Sequence, residues 1–392
     1  MKRSLSHSHS TRRLVSASAL GIFGSALFAV ASCATIEPAA DPPPSPPSPL
    51  PDSDAGAGAL VDGGCDASDP RCMAITCEGV DWCPVPTGVS AVYALVSVWG
   101  AGKDDVWVGG SGGTLIHWDG VAWTPTTTGV KNTFNVIWGN GSTDVWAASS
   151  TEVVFHFDGT KWTPAPSVPS GRTKAPIFAG WGDGSGEVRF GTSAYDLPDD
   201  SRANQAIAKR ASDGGVEWTG ELGTATVHGI WGSSPDDIWL VGDNRGPGTW
   251  RQPGFTAHGT RTQDGGLVWA EIESQSVAIV ESVWGSSADD VWAVGGAGTI
   301  RHFDGAGTRW EIVPSPTVEA LHAVWGSGPN DVWAVGDAGT ILHWDGATWK
   351  PSVAAFAADK KRPNLYGIWG SGPNDVWIVG DSVALHYTGD TK

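Results

Sequence analysis

A Trp-Gly pair recurs seven times along the chain, and this repeat constrains the fold more than any other feature of the sequence. Within each unit, apolar and aromatic residues alternate with a period of two, and Gly-, Asn- and Asp-containing turns separate the segments, which is typical of short antiparallel strands. Units of about 40 to 50 residues with four strands each are typical of β-propeller blades. The seven pairs begin at Trp99, Trp138, Trp181, Trp231, Trp284, Trp325 and Trp369.

The unit that begins at Trp325 shows the pattern most clearly, and we expect its strands at about 320–325, 331–336, 340–344 and 347–351. Eight positions after the Trp-Gly pair comes a second Trp, and an Asp-Gly turn is followed by a closing Trp. Six units carry the second Trp, at Trp107, Trp146, Trp239, Trp292, Trp333 and Trp377, whereas the third carries Arg189. The closing residues are Trp123, Trp162, Trp218, Trp269, Trp310 and Trp349.

The seventh unit has no closing Trp, and the missing piece lies before the first unit. The segment from Trp82 to Val89 parallels the segment from Trp123 to Val130. We therefore expect residues 80–86 to supply the outer strand of the last blade, which would leave no terminal blade open. The sequence predicts an all-β, seven-bladed β-propeller of four-stranded antiparallel blades, closed by an N-terminal strand. A β-helix or linear solenoid is the alternative, but it would need no complementary ends.

Residues 1–32 resemble the signal peptide of a bacterial lipoprotein. A basic start is followed by an uncharged apolar run, and Val30-Ala31-Ser32-Cys33 is similar to a lipobox. The resemblance implies that Cys33 is acylated and anchors the chain to a membrane. Ala34 after the Cys resembles the sorting signal of an outer-membrane lipoprotein, facing either the periplasm or the cell surface. A plain secretory signal and an uncleaved transmembrane helix are the alternatives.

Residues 33–64 form a Pro-, Ala- and Asp-rich tether, because this composition cannot bury a core. Residues 65–83 form a Cys-rich segment, and residues 84–392 form the propeller. An even, clustered set of cysteines in an exported chain indicates two disulfides in any of three pairings. A zinc site is the alternative, although the spacing lacks a C-x₂-C pair. The four residues are Cys65, Cys72, Cys77 and Cys83.

The charge of the chain disfavours one class of partner. It has 24 Lys and Arg against 42 Asp and Glu, a formal net charge of −18. An acidic body repels nucleic acid and anionic lipid headgroups, so we do not expect binding to nucleic acid.

The repeat units resemble those of known propeller families. The D-G-G-x-x-W segments at Asp213–Trp218 and Asp264–Trp269 are similar to the Asp-box of sialidase-type (BNR) propellers. The W-A-V-G…G-T-I…D-G…W pattern resembles tectonin-like propellers and the propellers of photosystem assembly factors. These resemblances imply the fold and no particular activity, because propellers carry unrelated functions.

Residues that recur in every blade are interpreted as scaffold. The acidic residue two positions before each second Trp is expected to cap the turn between the first and second strands. Five His residues lie on the third strands of different blades, too far apart to share a metal, and we expect each to bond to a neighbouring blade. They are His117, His156, His302, His343 and His386.

The third and fourth units depart from the pattern, and the candidate site lies there. Extra residues at about 194–206 and 243–262 are expected as loops between the second and third strands, on the rim that they share with the blade-to-blade connections. Aromatic, basic and acidic side chains in these loops suit a sugar or a peptide, although a variable solvated loop pair is the alternative. The candidate ligand-binding residues are Arg189, Tyr195, Asp196, Asp199, Asp200, Arg202, Arg245, Trp250 and Arg251.

Three functions follow as hypotheses. The first is a non-enzymatic, surface-tethered recognition module, monomeric, that binds a glycan or an envelope protein. The second is a sialidase-like glycoside hydrolase, which would need three converging Arg, a Tyr–Glu pair and an acid. The third is an outer-membrane assembly scaffold. The sequence contains no established catalytic, cofactor or metal motif, so we expect no catalytic residues, no cofactor and no metal site.

Overall fold

The computed structural model describes residues 77–171, 174–211, 215–244, 254–263, 265–305, 308–357 and 361–389. These residues form seven four-stranded antiparallel sheets, the blades of a seven-bladed β-propeller. The predicted fold is therefore confirmed. Two 3₁₀ turns, Ser111–Gly113 and Asp337–Gly339, join second to third strands in two of the blades.

Strands are numbered in chain order, and blades are numbered from the first complete sheet. The closing strand is β1 (Cys83–Pro84). Blade 1 contains β2 (Leu95–Gly102), β3 (Asp105–Gly110), β4 (Leu115–Trp118) and β5 (Trp123–Pro125); blade 2 contains β6 (Phe134–Gly141), β7 (Asp144–Ser149), β8 (Val154–Phe157) and β9 (Trp162–Pro164). Blade 3 contains β10 (Ile177–Trp181), β11 (Glu187–Asp196), β12 (Arg202–Arg210) and β13 (Val216–Leu222); blade 4 contains β14 (Thr226–Ser234), β15 (Asp237–Asp243), β16 (Gly254–Arg261) and β17 (Leu267–Glu271). Blade 5 contains β18 (Val280–Ser287), β19 (Asp290–Gly295), β20 (Thr299–Phe303) and β21 (Glu311–Ile312); blade 6 contains β22 (Leu321–Gly328), β23 (Asp331–Gly336), β24 (Ile341–Trp344) and β25 (Trp349–Pro351); blade 7 contains β26 (Leu365–Gly372), β27 (Asp375–Gly380), β28 (Val383–Tyr387) and β1.

The first strand of each blade lies innermost, and each packs against the first strand of the next blade, with β2 also packing against β26. The ring is therefore closed. We call the face that carries the blade-to-blade connections and the turns between second and third strands the top face. The opposite face, which carries the other two sets of turns, is the bottom face.

The predicted closing strand is confirmed. β1 pairs with β28, with Cys83 opposite His386 and Pro84 opposite Leu385. Trp82, just before it, is fully buried, and its indole N–H donates to the Ser352 hydroxyl in blade 6 at 3.1 Å. The closing segment is thus held by the last two blades together.

The Trp-Gly pairs form a ring of their own. Around all seven blades, the indole of one Trp covers the Gly of the next blade, so that Trp284 lies over Gly326 and Trp369 over Gly100. A methyl group on any of these seven Gly residues would come 2.6 to 2.8 Å from the covering indole. Gly is required here by close approach, which explains why the pair recurs as a unit.

Six blades share a second framework in their bottom half. In each, the Nε2 of a third-strand His donates to the carboxylate at the start of the second strand. The same His packs on the second Trp, with ring centroids 3.9 to 4.6 Å apart. The His–Asp pairs are His117–Asp105, His156–Asp144, His258–Asp237, His302–Asp290, His343–Asp331 and His386–Asp375.

This framework corrects two expectations. The His residues bond within their own blade, not to a neighbouring one. The Asp side chain joins strands through side chains rather than capping a turn through the backbone: the Asp331 carboxylate accepts from His343 and from the Ser327 hydroxyl. A sixth member, His258, escaped the sequence comparison because the insertion before it displaces it from the common spacing.

Closing Trp residues fasten neighbouring blades together. At five junctions the closing Trp of one blade packs edge-on against the second Trp of the preceding blade, with centroids 5.0 to 5.3 Å apart and planes 66° to 86° apart. Trp82 makes this contact with Trp333, as the closing Trp of blade 7. Such aromatic pairs add about 0.5 to 1.5 kcal/mol beyond burial.

Cys77 and Cys83 form a disulfide beside the closing strand, with Cα atoms 5.6 Å apart. Cys65 and Cys72 lie outside the described residues, as do residues 1–32, the tether at 33–64 and the proposed lipidation site Cys33. Across the part of the chain that the structure describes, no helix has the length and apolar character needed to cross a membrane.

Candidate functional site

Blade 3 is the exception to the bottom-half framework. Glu187, Arg189 and Ile207 stand where the other blades have Asp, Trp and His. The Arg189 side chain is 12% exposed, and its Nη1 lies 3.9 Å from the Glu221 carboxylate. Burial lowers the pKa of Arg189, and the charges of Glu221 and Glu187 oppose this effect. A cation therefore occupies a position that is otherwise aromatic.

The insertion of blade 3 is not the loop that the sequence suggested. It lengthens β11 and β12 into a hairpin whose turn covers only residues 197–201. Tyr195 on this hairpin is 1% exposed, packs in the hydrophobic core and donates its hydroxyl hydrogen to the Gln205 carbonyl. Burial raises the pKa of Tyr195 to about 12. Tyr195 is therefore a core residue and is not presented to a ligand, contrary to expectation.

Four other predicted residues lie at the top end of this hairpin. The guanidinium of Arg202 lies 3.5 Å from the Asp196 carboxylate and donates to the Ala194 carbonyl. The Asp199 carboxylate accepts from the backbone and hydroxyl of Ser201, which lowers the pKa of Asp199. Asp200 lies exposed at the tip with φ of 64°. The first three side chains thus have partners within the hairpin, and the group forms an acidic tip.

The predicted residues do not form one site. Arg189 lies near the bottom end of β11 and Asp196 at its top end, seven residues and therefore about 20 Å apart along the strand. Arg245, Trp250 and Arg251 lie outside the described residues. The structure instead separates a top-face region from a bottom-face pocket.

The top face carries a set of side chains that the sequence analysis missed. The residue that follows the buried apolar residue near the top of each innermost strand is half-buried, and its type varies around the ring. Phe178 stacks on His228 with centroids 5.1 Å apart, and His322 lies 5.5 Å from Tyr366 in the next blade. We call these seven residues the mouth ring: Val96, Asn135, Phe178, His228, Glu281, His322 and Tyr366.

His228 is the most strongly held member of the mouth ring. Its Nδ1 lies 3.2 Å from the Glu281 carboxylate, and its Nε2 lies 3.0 Å from that of Asp243. Burial alone would lower the pKa of His228, but hydrogen bonds and charge from Glu281 and Asp243 outweigh burial and raise it. Two carboxylates therefore surround one imidazole.

Further carboxylates flank the mouth ring. Asp337 accepts from His322 at 2.8 Å, and Asp381 accepts from the Tyr366 hydroxyl at 3.0 Å. Each follows the second strand of its blade at the top face. With Glu281 and Asp243, four acidic groups lie among aromatic rings, an arrangement that favours a cationic group on a partner.

A cleft of about 490 Å³ opens between blades 3 and 4, beside the connection from Leu222 to Ala225. Gln205 in its lining is 1% exposed, and its amide oxygen has no hydrogen-bond partner among the described residues. Phe255, Trp269 and Glu271 complete an apolar and acidic wall. The cleft therefore lies beside a buried acceptor that has no partner among the described residues.

Several blade-to-blade connections on the top face present an exposed apolar side chain. Val92, Val277 and Val318 are 80%, 78% and 84% exposed. Single exposed apolar residues are ordinary on protein surfaces. Their recurrence in three connections around the mouth ring gives the top face scattered apolar contact points.

A second cavity, of about 310 Å³, lies on the bottom face at the same junction of blades 3 and 4. Three basic residues line it: Arg189, Lys209 and Arg261. Trp181 supplies an aromatic surface, and the turn after it supplies Asp183. We call this cavity the Arg189 pocket.

Four of the arginines that a sialidase-like site could use lie in different surroundings. Arg189 and Arg261 share a pocket that no Tyr lines, and Arg202 lies toward the other face. Arg301 donates to the carbonyls of Ser274, Gln275 and Ile300 and is structural. No three His, Cys, Asp or Glu side chains within the described ranges are placed to hold a metal ion.

Sequence comparison between blades could have found the mouth ring. The seven positions follow a buried apolar residue near the top of each innermost strand and precede the Trp of the Trp-Gly pair by three residues, so alignment of the repeats brings them into one column. That column varies while the Trp-Gly columns are constant. The analysis gave weight to inserted segments and overlooked variation within the regular units.

No protein-family model and no curated protein matches this chain. Solved structures do resemble it. YCF48 bound to D1 peptide has 20% sequence identity and a TM-score of 0.59, covering 80% of this chain and 96% of its own. YCF48 from Cyanidioschyzon merolae has 17% identity and a TM-score of 0.59, covering 79% and 99%. Virginiamycin B lyase from Staphylococcus aureus has 13% identity and a TM-score of 0.59, covering 78% and 98%. At these identities the similarity establishes the fold alone.

Proposed function

We propose that this protein is an exported, membrane-tethered, non-enzymatic interaction propeller whose top face binds a basic segment of an envelope protein. The observation that carries the proposal is the contrast between constant and variable positions. Trp-Gly pairs repeat in all seven blades and the His–Asp–Trp framework in six, while the seven positions of the mouth ring hold six different residue types. Variation at one position of a repeated scaffold, on a face where its side chains cluster, is expected where a specific partner binds.

The chemistry of the top face favours a peptide segment with Lys or Arg. Asp243, Glu281, Asp337 and Asp381 supply carboxylates, and Phe178 and Tyr366 supply ring faces for a cation. The net charge of −18 adds long-range attraction for a basic partner. Among similar folds, a YCF48 structure has a D1 peptide bound, which supports peptide binding by a scaffold of this kind.

Export and anchoring belong to the same proposal. The leader at 1–32 and the lipobox-like Cys33 would place the chain at the outer membrane, with residues 33–64 as the tether. Mass spectrometry of the N-terminal peptide tests this part, with Cys33→Ser as the control variant. A diacylated Cys33 supports it, and an unmodified or uncleaved N-terminus contradicts it.

Site-specific photo-crosslinking in living cells tests the binding face. A crosslinker at Tyr366 in the mouth ring, or at Val318 in a top-face connection, is expected to capture a discrete protein partner. The matched control is Val121, which is 83% exposed in a bottom-face turn. Equal capture from Val121, or no capture from either top-face position, would contradict the proposal.

A paired variant separates binding from folding. His228→Ala with Glu281→Ala removes the central group of the mouth ring, and we expect the crosslink from Val318 to fall while the melting temperature stays within a few degrees. A glycan is the other candidate ligand. Retention on immobilised envelope glycan, without any protein crosslink, would replace the peptide by a sugar on this face.

A further inference from the structure

The Arg189 pocket occupies the place where every other blade has aromatic packing. In the other six blades the second Trp and its His fill the bottom half of the blade, and in five of them this Trp meets the closing Trp of the next blade. In blade 3, Arg189 and Ile207 replace that pair, and a cavity of about 310 Å³ lies at their junction with blade 4. Blade 3 therefore carries a cavity and a cationic side chain at the position where the other six blades carry the Trp–His pair.

Most of the charges in the pocket already have partners. Arg261 donates to the Asp236 carboxylate and to the carbonyls of Gly265 and Pro235. Lys209 donates to Glu187 at 3.1 Å. These groups therefore stabilise the pocket walls.

The Arg189 guanidinium is different. Its Nη1 is buried and makes no hydrogen bond to any described residue, and its nearest carboxylate, Glu221, is 3.9 Å away. A buried cationic donor without an acceptor costs free energy, which a bound acceptor would recover. The planar guanidinium matches a carboxylate in shape and hydrogen-bonding pattern.

The rest of the lining indicates what carries that carboxylate. The Trp181 indole offers a flat apolar surface for the C–H face of a sugar ring, and Asp183 and Ser185 offer acceptors for its hydroxyl groups. The volume is near the lower end for small-molecule sites and suits a single ring. We propose that the Arg189 pocket binds the carboxylate of a monomeric sugar acid.

Calorimetry with the mature chain tests this proposal, using D-glucuronate as the probe and D-glucose as its neutral match. We expect D-glucuronate to bind and D-glucose to show no measurable heat. Arg189→Gln is expected to weaken D-glucuronate binding at least about tenfold, because a charge-assisted hydrogen bond is lost. Arg189→Lys keeps the charge but loses the planar fork, and it is expected to weaken binding as well.

Two further variants keep the test decisive. Arg202→Gln, on the top hairpin of the same blade, is expected to leave binding unchanged. The double change Arg189→Trp with Ile207→His restores the framework of the other blades, so it is expected to fold and to abolish binding. Binding of L-glutamate with equal affinity, no response to D-glucuronate, or unchanged binding in Arg189→Gln would overturn the proposal. The top-face proposal is tested with other residues, so either can fail alone.

Discussion

Two junctions can be compared directly: the one between blades 5 and 6 and the one between blades 3 and 4. Corresponding strands form both junctions, but only the first is closed by packed aromatic side chains. At the first, Trp349 packs edge-on against Trp292, whose other face lies on His302. At the second, Arg189 stands in the place of that Trp, the cleft lined by Trp269 lies toward the top face, and the Arg189 pocket lies toward the bottom face. Replacement of the second Trp by Arg189 in blade 3 thus coincides with the presence of cavities at this junction.

This difference teaches where a propeller can change without losing its ring. The inner Trp-Gly contact persists at both junctions: Trp181 covers Gly232 as Trp284 covers Gly326. The ring is therefore held near its axis, and the outer layer is free to diverge. The divergence at the blade 3–4 junction therefore lies farther from the axis than the Trp-Gly contact that holds the ring.

The largest effect is expected from the closing Trp residues themselves. Trp349→Ala should lower the free energy of unfolding by about 3 to 5 kcal/mol, because it removes a buried indole from a sealed junction. Trp269→Ala should cost clearly less, because its indole is only half-buried beside a cleft. Chemical denaturation of both variants measures the difference. Equal losses would mean that the junctions do not differ in packing.

The inner contact should behave alike at both junctions. Gly326→Ala and Gly232→Ala each force a methyl group against an indole, at 2.6 and 2.7 Å, and should cost about 1 to 3 kcal/mol. Gly328→Ala is the control, because a methyl group there meets nothing within 4 Å, and it should stay within about 0.5 kcal/mol. Thermal unfolding checks all three variants. A much smaller loss of stability in Gly232→Ala than in Gly326→Ala would mean that the two junctions also differ in the inner Trp-Gly contact.

The His–Asp–Trp framework is expected to give a smaller difference in stability between a regular blade and blade 3. Asp331→Asn weakens the acceptor for His343 and Ser327, and we expect a loss of about 1 to 2 kcal/mol. Glu187→Gln, at the matching position of blade 3, removes an exposed pair with Lys209 and one of the two negative charges that favour the charged form of Arg189, and it should cost less than Asp331→Asn. Urea denaturation distinguishes the two, and similar losses would argue against the framework as a stabilising unit.

The smallest expected effect is a pH dependence of protein stability that arises from the Asp331–His343 pair. Burial raises the pKa of Asp331, but hydrogen bonds from His343 and Ser327 outweigh it and lower that pKa below the ordinary value of 3.8. A carboxyl group with a lowered folded-state pKa stabilises the protein above the ordinary value and loses that contribution as pH falls through the lowered one. The difference in free energy of unfolding between wild type and Asp331→Asn should therefore become smaller as the pH falls through the lowered pKa. A difference that stays constant or grows would contradict a stabilising, ionised Asp331.

The sequence was sufficient for the fold because the fold repeats. Strands expected at 331–336 and 340–344 appear at Asp331–Gly336 and Ile341–Trp344, and the role of Trp82 followed from its likeness to Trp123. The seven units repeat one pattern, so a departure at a single position in one unit did not obscure the strands that the other units indicate. The first strand was predicted too short, because β22 continues through the Gly-rich segment to Gly328.

The candidate site was harder, for two physical reasons. The segment at 194–206 was interpreted as an inserted loop, so Tyr195 was assigned to the surface. The structure instead continues β11 to Asp196, with a register shift against β12 between Gly191 and Tyr195. The Arg189 pocket and the mouth ring depend on contacts between blades, such as His228 with Glu281, which spacing along one strand does not reveal.

The closing strand also sets the order in which the molecule can be completed. Trp82 and its partner Ser352 lie 270 positions apart, so a nascent chain emerging from the ribosome exposes this indole long before blade 6 exists to receive it. Cooperative closure must wait until translation is almost finished, and contacts so distant in sequence form slowly. A chaperone that shields the Trp82 segment until blade 6 has been synthesised would consequently raise the yield of closed rings.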